Sequence, residues 1–174
     1  MPVVVSVVGR SNSGKTTLLE RLIPELRRRG YKVAVVKHSV RGFDLDQPGK
    51  DSWRLAEAGS DAIVLSGPQK VALIRKVARE ATLEELLTVI GDDYDLILVE
   101  GFKQSNYPKI EVHRKVQGDL VSPPEELSAV VTDEPLNVAA PQFSVDQGVA
   151  LADLIEDRFL ASVSVGRKRN LQQA

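Results

Sequence analysis

The chain contains no cysteine. That excludes disulfides, thiolate nucleophiles and every zinc site built on sulfur, and it fits a reducing cytosol. Only 5% of the residues are aromatic, too few for a platform on which nucleic-acid bases would stack. An excess of one charge is missing as well: 23 basic residues face 24 acidic ones, a net charge of -1, which leaves no surplus to grip a nucleic-acid backbone or an anionic membrane. No apolar run approaches the ~20 residues that a bilayer-spanning helix needs, and the segment Met1 to Gly9 lacks the length and basic lead of a signal peptide. A cytoplasmic protein without membrane or nucleic-acid partners is expected. The two histidines, His38 and His113, are too few and too scattered for a histidine metal centre.

What is present is enough for a core. With 174 residues, 43% of them hydrophobic, the chain is expected to form one domain over residues 1–165, and the basic tail 166–174, with Arg167, Lys168 and Arg169, is expected to fray. Val3 to Val8 is a continuous β-branched run, as a strand buried on both faces of a parallel sheet would show. Leu18, Leu19, Leu22, Ile23 and Leu26 then recur at helical spacing and stop at Arg27, Arg28, Arg29 and Gly30, read as a solvated helix end. Strands are expected at 32–37, 62–65, 71–74, 95–100, 109–114 and 129–131. Helices are expected at 52–58, at 82–90 with Thr82 and Glu85 in capping-box spacing, and at 145–159. The strand Lys109 to Arg114 alternates as if half exposed and offers an edge for pairing with a second copy. Strands alternating with helices predict an α/β, three-layer fold around a mostly parallel central sheet, with the ligand at the carboxyl ends of the strands.

Gly9-Arg10-Ser11-Asn12-Ser13-Gly14-Lys15-Thr16 matches G-x-x-x-x-G-K-S/T without exception, after an expected strand and before an expected helix. In such a loop the glycines let backbone N–H groups converge on phosphate, and the helix behind adds a partial positive charge of about +0.5. Lys15 would reach the β and γ oxygens, and the Thr16 hydroxyl would ligate magnesium. A carboxylate is then needed at the end of a neighbouring strand. Asp95 and Glu100 bracket DLILVE; strand direction favours Glu100 and leaves Asp95 as a turn residue. The polar loop after the second strand adds Asp44 and Asp46, candidates for holding metal-bound water, Asp46 ahead of Asp44. His38 lies at a strand end near the phosphates, His113 is expected at the surface or an interface, and Trp53 is expected to pack. Thr132-Asp133 follows a short buried strand where a carboxylate would read guanine, which offers a donor pair that adenine lacks; N-K-x-D is absent, and a plain turn is the competing reading.

The combination GRSNSGKTTLLERLIPEL, VVKH, FDLDQPGKDS and DLILVEGFK, spread in order from about Val3 to Pro135, resembles the molybdopterin-guanine dinucleotide biosynthesis protein B (MobB) family. The resemblance implies a P-loop protein that binds GTP with Mg2+, hydrolyses it weakly, forms a homodimer, and serves as an adapter to the guanylyltransferase that joins GMP to molybdopterin. Carried over position by position, Gly9, Arg10, Ser11, Asn12, Ser13, Gly14, Lys15, Thr16 and Thr17 hold nucleotide; Asp133 stands as candidate base reader on its place in the sequence, not on the resemblance. Thr16, Asp46 and Glu100 lie on the metal side, and Lys15 and Glu100 would act on the triphosphate. Lys37, His38 and the PGKDS stretch also match, and Lys50 and Lys103 are candidates for contact with an anionic cofactor such as molybdopterin. Val40 and Arg41 depart from the further histidines common after K-H, against a histidine-rich metal role. The alternative is a P-loop kinase for a small molecule; its only lid-like cluster, Arg75, Lys76 and Arg79, reads as a helix face. A switch GTPase would need D-x-x-G and N-K-x-D, and both are missing.

Overall fold

The computed structural model describes residues 1–161; the tail expectation for 166–174 lies outside them. The described chain divides into two compact units, one made of residues 1–38 and those from Leu86 onward, the other of Ser39–Glu85.

The first unit is built on six strands: β1 (Val3–Val8), β2 (Val33–Lys37), then β5 (Leu96–Glu100), β6 (Lys109–Val112), β7 (Leu127–Val131) and β8 (Gln142–Phe143), in the order β2-β5-β1-β6-β7-β8. Every pairing is parallel. The β-branched run of β1 is central, as its composition requires. Period-two alternation sends Val5, Val7, Leu96, Leu98, Ile110 and Val112 into one core with Leu18, Leu22 and Leu26 of α1 (Lys15–Arg28) and Leu151 and Ile155 of α4 (Gly148–Ile155). Opposite them Leu127, Val130 and Ala140 gather a smaller cluster with Leu120, Leu136 and Val138. Among the described residues no helix is long and apolar enough to cross a membrane.

Two expectations for this unit change. Lys109 to Arg114 is no half-exposed edge: β6 lies between β1 and β7 with all four of its residues buried. Its polar side chains, and that of His113 just beyond it, each have a partner: Lys109 has Glu126, Glu111 accepts from the N–H groups of Val121 (2.7 Å) and Ser122 (3.0 Å), and His113 meets Glu134 (3.1 Å). The edge argument for dimerisation therefore fails, and His113 is a core residue. Nor is the arginine run at the end of α1 a simple solvated cap. Arg29 is a clasp, bonding Glu25 on its own helix and Asp153 and Glu156 on the C-terminal helix at 2.7–2.8 Å.

The second unit contains α2 (Asp51–Glu57) and an antiparallel hairpin of β3 (Ala62–Gly67) and β4 (Lys70–Arg75). Val64, Leu65, Val71 and Leu73 of this hairpin are exposed. Helix α3 (Leu83–Ile90) leads back to the first unit, and its start is the expected capping box: Thr82 N–H donates to Glu85, and Glu85 N–H to Thr82 Oγ1. Arg75, Lys76 and Arg79 form no helix face. Arg75 ends β4, Lys76 bonds the Ala56 carbonyl at 3.0 Å, and Arg79 holds Glu85 in a two-pronged pair.

Candidate functional site

The loop from Gly9 to Gly14 leaves the carboxyl end of β1 and turns into α1. Positive φ at Gly9 (+140°), Asn12 (+61°) and Gly14 (+100°) curls the backbone into a concave nest. Helix α1 starts without a side-chain cap or an acidic residue in its first turn, so its first N–H groups have no intrahelical acceptor. Ser13 Oγ is buried with no partner among the described residues. A nest, an uncapped helix start and an orphaned hydroxyl fit an anion of several oxygens.

Lys15 donates back to the loop carbonyls of Gly9 (3.3 Å) and Arg10 (2.7 Å). Burial lowers the pKa of its ammonium, Glu100 pushes it back up, and Lys103 and Lys37 lower it again. Three lysines around one carboxylate leave a positive surplus that a polyphosphate would neutralise. Thr16 Oγ1 lies 3.1–3.2 Å from both Glu100 oxygens, and the Lys37 ammonium stands 3.2 Å from Thr16 Oγ1 and 3.3 Å from Glu100. A hydroxyl and a carboxylate already arranged about a cation fit a hydrated magnesium ion. Glu100 is itself buried at the end of β5, whereas Asp95, at the strand's start, accepts the Lys32 N–H at 2.6 Å and serves as a turn residue.

The sequence reading gave no role to Arg114 or Gln117. Arg114 donates to the Ser13 carbonyl at 3.0 Å and lies 3.6 Å from Asp133; Gln117 donates to the Ser11 carbonyl at 2.8 Å; Arg10 reaches the Asp119 carbonyl at 3.3 Å. The segment after β6 thus braces the phosphate loop from outside. No local motif announces it; only the pairing of β6 with β1 brings it there. Asp133 accepts the Lys115 N–H at 2.9 Å, the main cause of its lowered pKa, with Arg114 assisting. The rings of His38 and Phe102 pack at a tilt of 37° with centroids 4.8 Å apart. Thr17 is exposed on α1. In the second unit, Asp46 accepts from Gln47 N–H and Ser52 Oγ, both at 2.9 Å, Asp44 and Lys50 are exposed, and Trp53, expected to pack, is exposed near the start of α2.

Comparison with known proteins gives this geometry a family. Residues 4–133 match the family described as "Molybdopterin guanine dinucleotide synthesis protein B". The "Molybdopterin-guanine dinucleotide biosynthesis adapter protein" of Haemophilus influenzae is 38% identical over 159 residues, covering 88% of each chain, and that of Escherichia coli is 37% identical over 83% of this chain and 86% of its own. Among solved structures, Bacillus subtilis MobB superimposes with a TM-score of 0.71 at 29% identity, covering 91% of this chain and 98% of that one. A second, a crystal structure of molybdopterin-guanine biosynthesis protein B, gives 0.68 at 33% identity over 89% and 99%. The parallel sheet, the loop and the match across most of the chain agree: this protein belongs to the MobB family.

Proposed function

We propose that this chain is a GTP-binding adapter in molybdopterin-guanine dinucleotide biosynthesis, working with the guanylyltransferase that joins GMP to molybdopterin. The observation that carries the reading is the arrangement of Lys15, Thr16 and Glu100 around an uncapped helix start, in a chain whose relatives are named as such adapters. In this reading residues Gly9 to Thr17 cradle the triphosphate, and Lys15 leaves its two loop carbonyls for the β and γ oxygens. Thr16 and Glu100 hold Mg2+, with Asp46 added on the sequence pattern alone. When bound, the ion neutralises charge on the terminal phosphates. Asp133 is the proposed reader of guanine; one of its oxygens is engaged by Lys115, and the other faces Arg114.

Hydrolysis by the isolated chain is slow in this proposal. Arg114, the arginine that bonds the loop, is occupied by the Ser13 carbonyl and Asp133, and no glutamine stands in a recognisable water-positioning motif. Turnover should fall well below the ~1–100 s⁻¹ of kinases. The kinase alternative is not favoured, since its lid cluster is tied up in the second unit. A homodimer is proposed on a different surface from the edge first expected: the β3–β4 hairpin has only two strands, so both are edges, and it exposes four large apolar residues.

Equilibrium titration with GTP, ATP and GDP, with and without Mg2+, tests the reading. Preference for GTP that strengthens with Mg2+ supports it; no nucleotide binding, or transfer of the γ-phosphate to a small acceptor, refutes it. A monomer mass by light scattering at micromolar concentration refutes the dimer.

A further inference from the structure

Directly after Glu100 the chain turns through two residues at positive φ, Gly101 at +109° and Phe102 at +49°. Such backbone is costly for a bulky side chain and persists only where its surroundings enforce it, most often at functional sites. Here the enforcement is visible. Gly101 N–H donates to the Val7 carbonyl, the Phe102 ring lies on His38, Ser105 N–H donates to the Phe102 carbonyl, and the Ser105 hydroxyl meets that of Ser6 at 2.9 Å. The turn delivers Lys103 close enough to Lys15 for their charges to interact.

Lys103 also walls a cleft of about 380 Å³ with Gln104, Asn106, Lys109, Ser122 and Glu126, a size within the usual range for small-molecule sites. Two of these residues are buried polar groups. Lys109 is ion-paired with Glu126, so their charges cancel and Lys103 leaves the cleft with a net positive charge. Ser122 is 6% exposed, and its hydroxyl has no partner among the described residues. Its position is no accident of a loose loop, because Glu111 clamps the N–H groups of Val121 and Ser122. A fixed, buried, unpaired hydroxyl and a lysine in the lining of one cleft make an unfinished hydrogen-bond set. Gln104 and Asn106 add amides that both donate and accept.

We propose that this cleft binds a small heterocycle bearing a phosphate monoester, with Lys103 and the Ser122 hydroxyl donating to the phosphate and Gln104 and Asn106 meeting the heterocycle's edge. The inference rests on the adapter reading and deepens it. A dinucleotide is joined through a pyrophosphate, so the acceptor of GMP must offer a phosphate. The cleft places that pterin phosphate on this chain, one lysine away from the nucleotide loop.

The test uses the full chain with its nucleotide site saturated by a non-hydrolysable GTP analogue and Mg2+, so that the phosphate loop is not available to the probe. Calorimetric titrations with 6-hydroxymethylpterin monophosphate, the unphosphorylated pterin and inorganic phosphate follow. The phosphorylated pterin should bind at least about 10-fold more tightly than either of the others, since only it engages both ends of the cleft. Ser122→Ala should weaken it about 10-fold, leave the affinity for the GTP analogue unchanged, and leave the melting temperature of the free protein equal or higher, because an unpaired buried hydroxyl is removed. Lys103→Gln should weaken the phosphorylated pterin and spare the unphosphorylated one. No binding to the loaded wild type, or wild-type affinity in Ser122→Ala, overturns the proposal, as does binding that nucleotide abolishes, which would mean an anion on the phosphate loop only. If the GTP analogue itself fails to bind, the adapter reading falls, and the same titration on Lys15→Ala protein decides the cleft alone.

Discussion

A methyl group added at Gly9 has no room. Its Cβ would lie 2.3 Å from the Val112 carbonyl oxygen and 2.9 Å from Ser13 Oγ, on a backbone at φ +140°. Val112 ends β6, whose pairing with β1 runs through Val8 and Glu111, so relief requires drawing two central strands apart. Backbone at φ +140°, outside the left-handed well, costs an alanine about 1–3 kcal/mol, and overpacking adds about 1–3 kcal/mol. Gly9→Ala should therefore lose about 2–6 kcal/mol, or roughly 4–24 °C in Tm for a chain of this size. Gly91→Ala is the control: φ is +79° there, with nothing within 4 Å of the added carbon, so it bears the backbone strain of about 1–2 kcal/mol without the clash. Thermal melts of both variants, with GTP titration of each, separate the two terms. Nucleotide affinity should fall in Gly9→Ala, because the displaced loop no longer aims its N–H groups at phosphate, and should hold in Gly91→Ala. If Gly9→Ala is no worse than Gly91→Ala in both assays, the close approach of loop and strand is not what shapes the site.

Three further outcomes are expected. Lys15→Ala should weaken GTP binding by ~2 kcal/mol, about 30-fold, through loss of a charge-assisted contact; unchanged affinity in calorimetry would sink the phosphate-loop assignment. Glu100→Gln should spare binding without metal and remove most of the gain on adding Mg2+, whereas an equal loss in both conditions would make Glu100 structural. Glu25 is held at a pKa of about 2, first by the hydrogen bond from Arg28 and then by that from Arg29, against an ordinary value of 4.5. Its folded pKa is depressed, so its stabilisation is present above pH 4.5 and drains away as pH falls towards 2. Glu25→Gln should flatten the dependence of Tm on pH in that window; a wild-type slope would count against the clasp.

The phosphate loop, β1, α1 and the Thr82–Glu85 capping box could be read from the chain because each is a local code: a spacing, a periodicity, a pair of side chains three apart. Strand β6 was legible as a strand, but its burial was not. Lys109 and Glu111, with His113 just beyond the strand, look like a solvent face, and only their distant partners Glu126, Val121, Ser122 and Glu134 make burial affordable. Arg114 and Gln117 were invisible for the same reason, since nothing in their neighbourhood announces that β6 runs beside β1. The hairpin β3–β4 read as two more strands, and periodicity carries no information on whether a strand joins the main sheet or forms its own.

Lys37 has one consequence for how the cation seat fills. The protein keeps the Lys37 ammonium against the bonded pair of Thr16 and Glu100. A bare divalent ion would have to evict a tethered charge whose local concentration is high, and would bring Lys37 no new counterion in return. An ion that arrives chelated to a triphosphate brings the negative charge that gives Lys37 a new counterion. On the proposed function, metal and nucleotide would therefore enter as one ligand, and the protein without nucleotide would be a poor scavenger of stray divalent ions.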